Sequence, residues 1–347
     1  MNEPLLKPTC ESDLVDAIAS CEHVVAIGNR TKPAMSPGSG VTLVSLSAMT
    51  GIIEYEPSEF TFTARSGTRI DEVRDVLSER NQYLPFDPML VDAGATLGGT
   101  VASGLSGPGR FRFGGVRDFI IGCVFVSGDG KVIRSGGKVV KNAAGFDIPK
   151  LMVGSLGRLG VMTELTFKVF PKPLSTLTLS VACESYTQLI DRIQQAASSR
   201  WELDAIDARP NELKVLLRIA GPQEANQAIA SEITSRWTGD VSELESCEAF
   251  WHSVTELTFA PHRSHVVKVP TASTVFSSLD HHVSAAGNVT WIATDDVTDL
   301  DAKLTKLGVP GLVVRGEWSA SIVGKIHTSH MSRNIKTAME PHGRFPG

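Results

Sequence analysis

Apolar residues in the first half of the chain come in short runs. Val24–Ile27 and Val41–Leu46 are two of them, and their length predicts strands. Phe60-Thr-Phe-Thr-Ala64 alternates apolar and polar positions, as a half-buried strand does. Thr68-x-x-Asp71 has the spacing of a capping box, and Ile70, Val73 and Leu77 then recur at helical spacing. Two strand-like arms between Val124 and Ile133 flank Asp129-Gly130, which predicts a hairpin. In the second half, longer segments alternate. Strands are predicted over Leu177–Ala182, Leu213–Ile219, His265–Val269, Val289–Ala293 and Gly311–Arg315. Helices are predicted over Tyr186–Ser198, Pro222–Trp237, Ala272–Ala286 and Thr298–Leu307. The class is α+β, with a sheet covered by helices on one face.

Composition divides the chain at the same place. Of 31 glycines, 22 precede residue 171, and 17 of those fall between Gly94 and Gly160. All five tryptophans and eight of nine histidines lie beyond residue 200. Pro171-Lys172-Pro173 reads as an extended joint between the two regimes. Two domains are expected, 1–172 and 173–347.

Charge and cysteine content narrow the function classes. The formal net charge is −5, with basic residues scattered, which leaves no footprint for nucleic acid or a membrane surface. The longest uncharged stretch, Pro33 to Ile53, carries two prolines and three glycines and fails as a spanning helix. The N-terminus lacks an apolar core, so no signal peptide is expected. Five cysteines, widely spaced and without a CxxC pair, fit reduced thiols in the cytoplasm and no iron–sulfur cluster in this chain.

The glycine density needs a physical reason. Glycine reaches φ > 0 without strain and lets backbone N–H groups approach a ligand. Successive N–H groups in such turns make concave anion sites. Gly28-Asn-Arg-Thr-Lys32, directly after a predicted strand, fits that role, and so does Ala95 to Gly104. Tight turns in a glycine-rich fold explain the same residues. Familiar motifs fail: there is no G-x-G-x-x-G between strand and helix, and Gly136-Gly137-Lys138 is followed by Val139 where a Walker loop needs a hydroxyl. His262-x-x-His265 and His327-x-x-His330 have no neighbouring Cys, Asp or Glu to complete a site, so no metal is expected.

Several blocks occur in a recognisable order. They are Gly28-Asn-Arg-Thr-Lys32, Thr63-Ala-Arg-Ser-Gly-Thr68, Leu84-Pro-Phe-Asp-Pro88 and the run from Gly94 to Gly107. Val116-Arg-Asp-Phe119, the run from Gly136 to Asp147, and Gly154-Ser-Leu-Gly-Arg-Leu-Gly160 onward to Glu164 follow. Together they resemble the FAD-binding domain of the vanillyl-alcohol-oxidase/PCMH flavoproteins, most narrowly the E-type FAD-binding subunits of bacterial glycolate oxidases. The tail from Met339 to Gly347 is similar to that of the same family, whereas 175–325 matches loosely.

The resemblance implies a two-lobed FAD-binding domain and roles for particular residues. Gly28, Asn29, Arg30, Thr31 and Lys32 would wrap the pyrophosphate. Gly94, Ala95, Thr96, Gly98, Gly99, Ala102, Ser103 and Gly104 would form the second loop. Pro85 would lie near the flavin ring, and Gly160, Val161 and Thr163 on the adenine side. Lys141, Asn142, Phe146 and Asp147 would line the domain core or the cofactor rim. Asp147 and Arg117 can also be read as a mutual or local ion pair. No histidine stands in either loop, so the flavin is expected to be noncovalent.

The implied reaction is oxidation of a small 2-hydroxy acid, glycolate, to the 2-oxo acid. Electrons would leave through partners, a D-type flavin subunit and an iron–sulfur subunit. The place is cytoplasmic, peripheral to the inner membrane through those partners. Arg263, Arg315, Lys325 and His327 are candidates for holding the substrate anion or its proton. The H-x-G-D-G-N motif of D-type subunits is missing. That leaves two alternatives open: a non-catalytic flavin-bearing assembly subunit, or a stand-alone flavin oxidoreductase for another alcohol or hydroxy acid.

Overall fold

A computed structural model describes residues 4–36, 40–137, 146–237, 239–271, 276, 278–326 and 330–346. The α+β class holds. A small parallel sheet is built from Leu5–Leu6, Thr42–Ser45 and Val24–Ile27, in that spatial order. Helix Glu11–Ser20 buries Leu14 and Ile18 against Val24 and Val44. Beside it lies an antiparallel sheet of five strands, ordered Ile52–Glu56, Thr61–Arg65, Val161–Lys168, Ile120–Val126, Val132–Gly136. The last two form the expected hairpin. Its loop is longer than the Asp-Gly pair alone, with Ser127 N–H donating to the Lys131 carbonyl at 3.0 Å and Gly130 at φ +77°.

Helix Ile70–Ser78 buries Ile70, Val73 and Leu77, the predicted stripe. Its expected capping box does not form. The Thr68 hydroxyl exchanges hydrogen bonds with the backbone of Gly51, and Asp71 pairs with Arg69. Thr68 is fully buried beside the turn at Gly51, so the hydroxyl serves the sheet edge, and the helix starts after an extended Arg69.

After the joint, nine strands form one antiparallel sheet. Its order is Val241–Glu243, Ser175–Ala182, Lys214–Gly221, Leu203–Arg209, Asp280–Ser284, Val289–Thr294, His265–Val269, Pro310–Arg315, Ile322–Gly324. The helix expected over Ala272–Ala286 is overturned where the chain is described: Asp280–Ser284 is a strand in mid-sheet, pairing Val289–Thr294 over its whole length and touching Leu203–Arg209 at one position. Residues 272–275 and 277 lie outside the described residues. Pairing on both edges outweighs local propensity there.

Helices Tyr186–Ala197 and Gln223–Arg236 cover one part of one sheet face, and Val297–Leu307 covers the rest. The opposite face takes helix Cys247–Thr255 and the first half of the chain. One core joins Val101, Leu105, Val116 and Phe125 with Leu257, Val266, Trp291 and Val314. The tail crosses back to the start: Phe345 is buried beside Leu14 and Val24, and Val24 N–H donates to the Arg344 carbonyl at 2.7 Å.

Candidate functional site

A cleft opens between the parallel sheet, the five-stranded sheet and helix Leu97–Ser103. Two loops converge on it. The first leaves strand Val24–Ile27 and runs through Gly28, Asn29, Arg30, Thr31 and Lys32, all of which line the cleft. Among the described residues, no backbone N–H from 28 to 32 donates to a protein acceptor. Arg30 holds φ +52°, a left-handed turn that bends this loop around the opening. The Asn29 amide donates to the Gly94 carbonyl at 2.8 Å and ties the first loop to the second.

Lys32 is the dominant charge. It is 8% exposed, and its ammonium donates to the Thr31 hydroxyl at 2.9 Å. No acid pairs with it among the described residues. Burial brings its pKa from the ordinary 10.5 down to about 8. A buried, unpaired cation above a row of free N–H donors is a site built for an anion.

The second loop contributes Thr96, Gly98, Gly99, Ala102 and Ser103. Its N–H groups are already used: Leu97 donates to the Thr68 carbonyl, Gly98 to the Ser66 carbonyl and Gly99 to the Thr96 hydroxyl. This loop therefore supplies close approach rather than donors. A side chain on Gly28 would place Cβ 2.3 Å from Thr96 Oγ1, and on Gly98 2.9 Å from Ser66 Cβ. On Gly99 it would meet only Thr96 Oγ1, at 3.1 Å, and otherwise stand in the cleft. Ser103 points its hydroxyl at the Thr100 carbonyl, 3.2 Å away.

Of the other expected residues, Gly160 lines the cleft, but Val161 and Thr163 do not. Strand alternation is the reason: Gly160 and Met162 face the cleft, so their neighbours face away. Val161 is in the core under the parallel sheet, and the Thr163 hydroxyl donates to Glu11 and the Val124 carbonyl. Gly94 and Ala95 sit behind the second loop, Gly104 ends its helix at φ +63°, and Pro85 is buried in a turn against Gly109. None of these four lines the cleft. Ser66, Leu156, Gly157 and Met162 do line it. Ser66 belongs to the block Thr63–Thr68 and the other three to the block Gly154–Glu164, which were the signal, without side-chain chemistry to assign a role.

Asp147 caps helix Ile148–Met152 and pairs with Lys150 at 2.9 Å rather than with Arg117. Phe146 is 91% exposed and lines no core. Lys141 and Asn142 lie outside the described residues. Arg263 forms ion pairs with Asp280 and Asp295 at the ends of two inner strands. Arg315 donates to the carbonyls of Leu257, Ala260 and Arg263, a bracing role. Lys325 is exposed after the last strand, and His327 lies outside the described residues. Arg263, Arg315 and Lys325 do not line the cleft.

A second hollow contains a constellation the sequence did not reveal. Ligand atoms of Asp92, His252 and Glu256 lie within 4.8 Å of one another. Much of their capacity is spent. Glu256 accepts from the N–H groups of Val91, Asp92 and Ala93, and His252 hydrogen-bonds Asp92 at 2.7 Å. Asp87 joins the halves nearby: Arg218 bridges it and Asp204 at 2.6 and 2.5 Å, with its guanidinium over the Trp251 ring.

Comparisons with known proteins agree with this geometry. The family described as "FAD binding domain" matches residues 3–136. The chain is 43% identical over 164 residues to glycolate oxidase subunit GlcE of Escherichia coli (strain K12), covering 47% of each chain. It is 30% identical over 200 residues to a D-lactate dehydrogenase of Anaerostipes hadrus and 31% identical over 205 to glycolate oxidase subunit GlcD of Bacillus subtilis (strain 168), matches that cover 56% and 57% of this chain and 42% of each relative. The chain thus spans less than half the length of these relatives. A solved alkyldihydroxyacetonephosphate synthase superposes on 99% of this chain with TM-score 0.69 at 15% identity, which shows a shared fold. The cleft's buried Lys32, its free N–H row and its glycine cradle fit a flavin dinucleotide. Residues 3–136 are thus similar to FAD binding domains, and the chain shares its fold with that synthase.

Proposed function

We propose that this chain is the FAD-binding subunit of a glycolate oxidase-like complex. It takes part in oxidising a small 2-hydroxy acid to the 2-oxo acid. The observation that carries the reading is Lys32, a buried cation without a counter-anion, facing free N–H groups where the pyrophosphate of FAD would lie. The likeness to GlcE adds the reaction class.

Bound FAD supplies the two-electron acceptor. The chain's own residues do the rest. Lys32 and the N–H groups of 28–32 hold the pyrophosphate. Asn29 locks the two loops together through Gly94. Gly98 and Gly99 keep side chains out of the path. No histidine stands in either loop, so the flavin is held noncovalently. Acid precipitation should leave the yellow colour in the supernatant; colour retained in the pellet would contradict this.

We place the domain boundary at 172; in support, strands before it and strands after it pair in separate sheets among the described residues, although the tail crosses back. The partners we propose are a D-type flavin subunit and an iron–sulfur subunit, since the five cysteines here are dispersed and electrons need a further carrier. Among the described residues no helix is long and apolar enough to cross a membrane. We place the chain in the cytoplasm, with any membrane link carried by partners.

The test is the visible spectrum of the flavin-loaded chain before and after glycolate and D-lactate, alone and with the two companion subunits. Bleaching that needs or is accelerated by the companions supports the proposal. Bleaching by neither acid in the full mixture overturns it.

A further inference from the structure

The first cleft loop hangs on a weakly supported strand. Val24–Ile27 lies at the edge of the three-stranded parallel sheet and, among the described residues, pairs only with Thr42–Ser45. So short a pairing in so small a sheet is marginal by itself. The loop Gly28–Lys32 leaves that strand directly, so a slip of the strand carries Lys32 and the N–H row with it.

The support at the start of this strand comes from the segment Glu340–Phe345. Val24 N–H donates to the Arg344 carbonyl at 2.7 Å, and the His23 ring hydrogen-bonds the Gly343 carbonyl at 3.1 Å, across 320 positions of sequence. The Arg344 guanidinium donates to the carbonyls of Ile18 and Cys21, at the end of helix Glu11–Ser20. Glu340 closes the segment on itself, its buried carboxylate accepting the Arg344 N–H at 2.8 Å. The same carboxylate lies against Gly128, just past strand Ile120–Val126, where a Cβ would come 2.5 Å from Oε1. Phe345, 1% exposed, joins the apolar cluster in which the two sheets meet: Val24 and Val44 come from the parallel sheet, Val126 and Val161 from the five-stranded one. Leu46 belongs to that cluster and Ala26 packs against it, and both also line the cleft.

We propose that the segment Glu340–Phe345 is a positioning element for the cofactor. Docked, it fixes the strand that carries the first loop and the spacing of the two sheets that flank the cleft, and FAD binds this docked form more tightly. The inference rests on the FAD reading. None of the segment's residues lines the cleft, so it acts through Val24–Ile27 and the shared apolar cluster. A stretch that follows the nine-stranded sheet thereby controls the loading of a cofactor held by the first half of the chain. Coupling of this kind is reciprocal: FAD holds the segment down by the factor that the docked segment adds to FAD affinity.

In the full chain, Phe345→Ala should weaken FAD about tenfold or more, read by fluorescence titration of flavin-free protein well below its thermal midpoint. Phe345→Leu keeps an apolar side chain between the sheets and should retain most of the affinity. Ile233→Ala controls for mere loss of stability. Ile233 is buried in a separate core under helix Gln223–Arg236, so the thermal midpoint should fall while FAD affinity stays. The reciprocal readout is amide hydrogen exchange in wild type, which needs no variant to fold. FAD should slow exchange over residues 340–346 by at least about tenfold, and the slowing should level off once the cleft is saturated. Slowing through global unfolding instead keeps growing with FAD concentration. Three results overturn the positioning role and leave the FAD reading standing: equal affinity in wild type and Phe345→Ala, an equal loss in Ile233→Ala, or exchange over 340–346 that FAD leaves unchanged or slows without levelling off. Absence of FAD binding by wild type removes the reading and the inference together.

Discussion

At the scale of single residues, Lys32 carries the most consequence. Its pKa near 8 means the flavin-free chain binds it in part as a neutral amine above that pH. The unfolded chain, with the ordinary 10.5, binds more protons between about 8 and 10.5. Stability of the flavin-free chain should therefore rise with pH across that window. FAD restores the charge, so binding at pH 9 should take up protons, seen as opposite calorimetric heats in buffers of different ionisation enthalpy. No proton uptake would show that Lys32 does not meet the pyrophosphate. Lys32→Met should weaken FAD by about 10- to 100-fold, the worth of a charge-assisted hydrogen bond, with the fold intact. Fluorescence titration of flavin-free protein measures it.

At the scale of elements, the second loop and its helix separate two kinds of glycine. Gly98 faces Ser66, where Cβ would sit 3.0 Å from a carbonyl oxygen, so Gly98→Ala should cost about 1–3 kcal/mol of stability. Gly99 faces the cleft, so Gly99→Val should lower FAD affinity at least about tenfold with little loss of thermal midpoint. Thermal unfolding beside flavin content distinguishes the two. A Gly99→Val protein with normal flavin content would refute the placement of the cofactor. The loops were legible in the sequence because glycine density and a preceding strand are local features. Which residues of 160–163 face the cleft was not, because alternation along a strand has two phases and only the packed sheet selects one.

At the scale of the whole molecule, the halves are fastened by a buried charge cluster and a returning tail. Arg218 is paired with Asp87 across 131 positions and with Asp204. Removing it leaves two carboxylates facing each other in a poorly solvated site. Arg218→Met should destabilise the chain by about 3–5 kcal/mol, measured by denaturant unfolding. A loss below about 1 kcal/mol would mean water reaches the cluster and the halves are held by the shared apolar core alone.

Local chemistry in the sequence determined a good deal: the glycine-rich loops after short strands, the helix stripe Ile70–Val73–Leu77, the hairpin about Asp129-Gly130, and the change of regime near residue 172. Each rests on neighbours a few positions apart. Tertiary structure alone decided the rest. It made Asp280–Ser284 a strand by pairing it on both edges, gave the Thr68 hydroxyl to Gly51, and sent Arg263 and Arg315 to brace loops. It also brought Lys268 opposite Trp291 on the sheet face that packs against the first half of the chain. Those outcomes depend on partners tens to hundreds of residues away, and the free energy that selects among them comes from packing and desolvation in the assembled fold, which no short window of the chain contains.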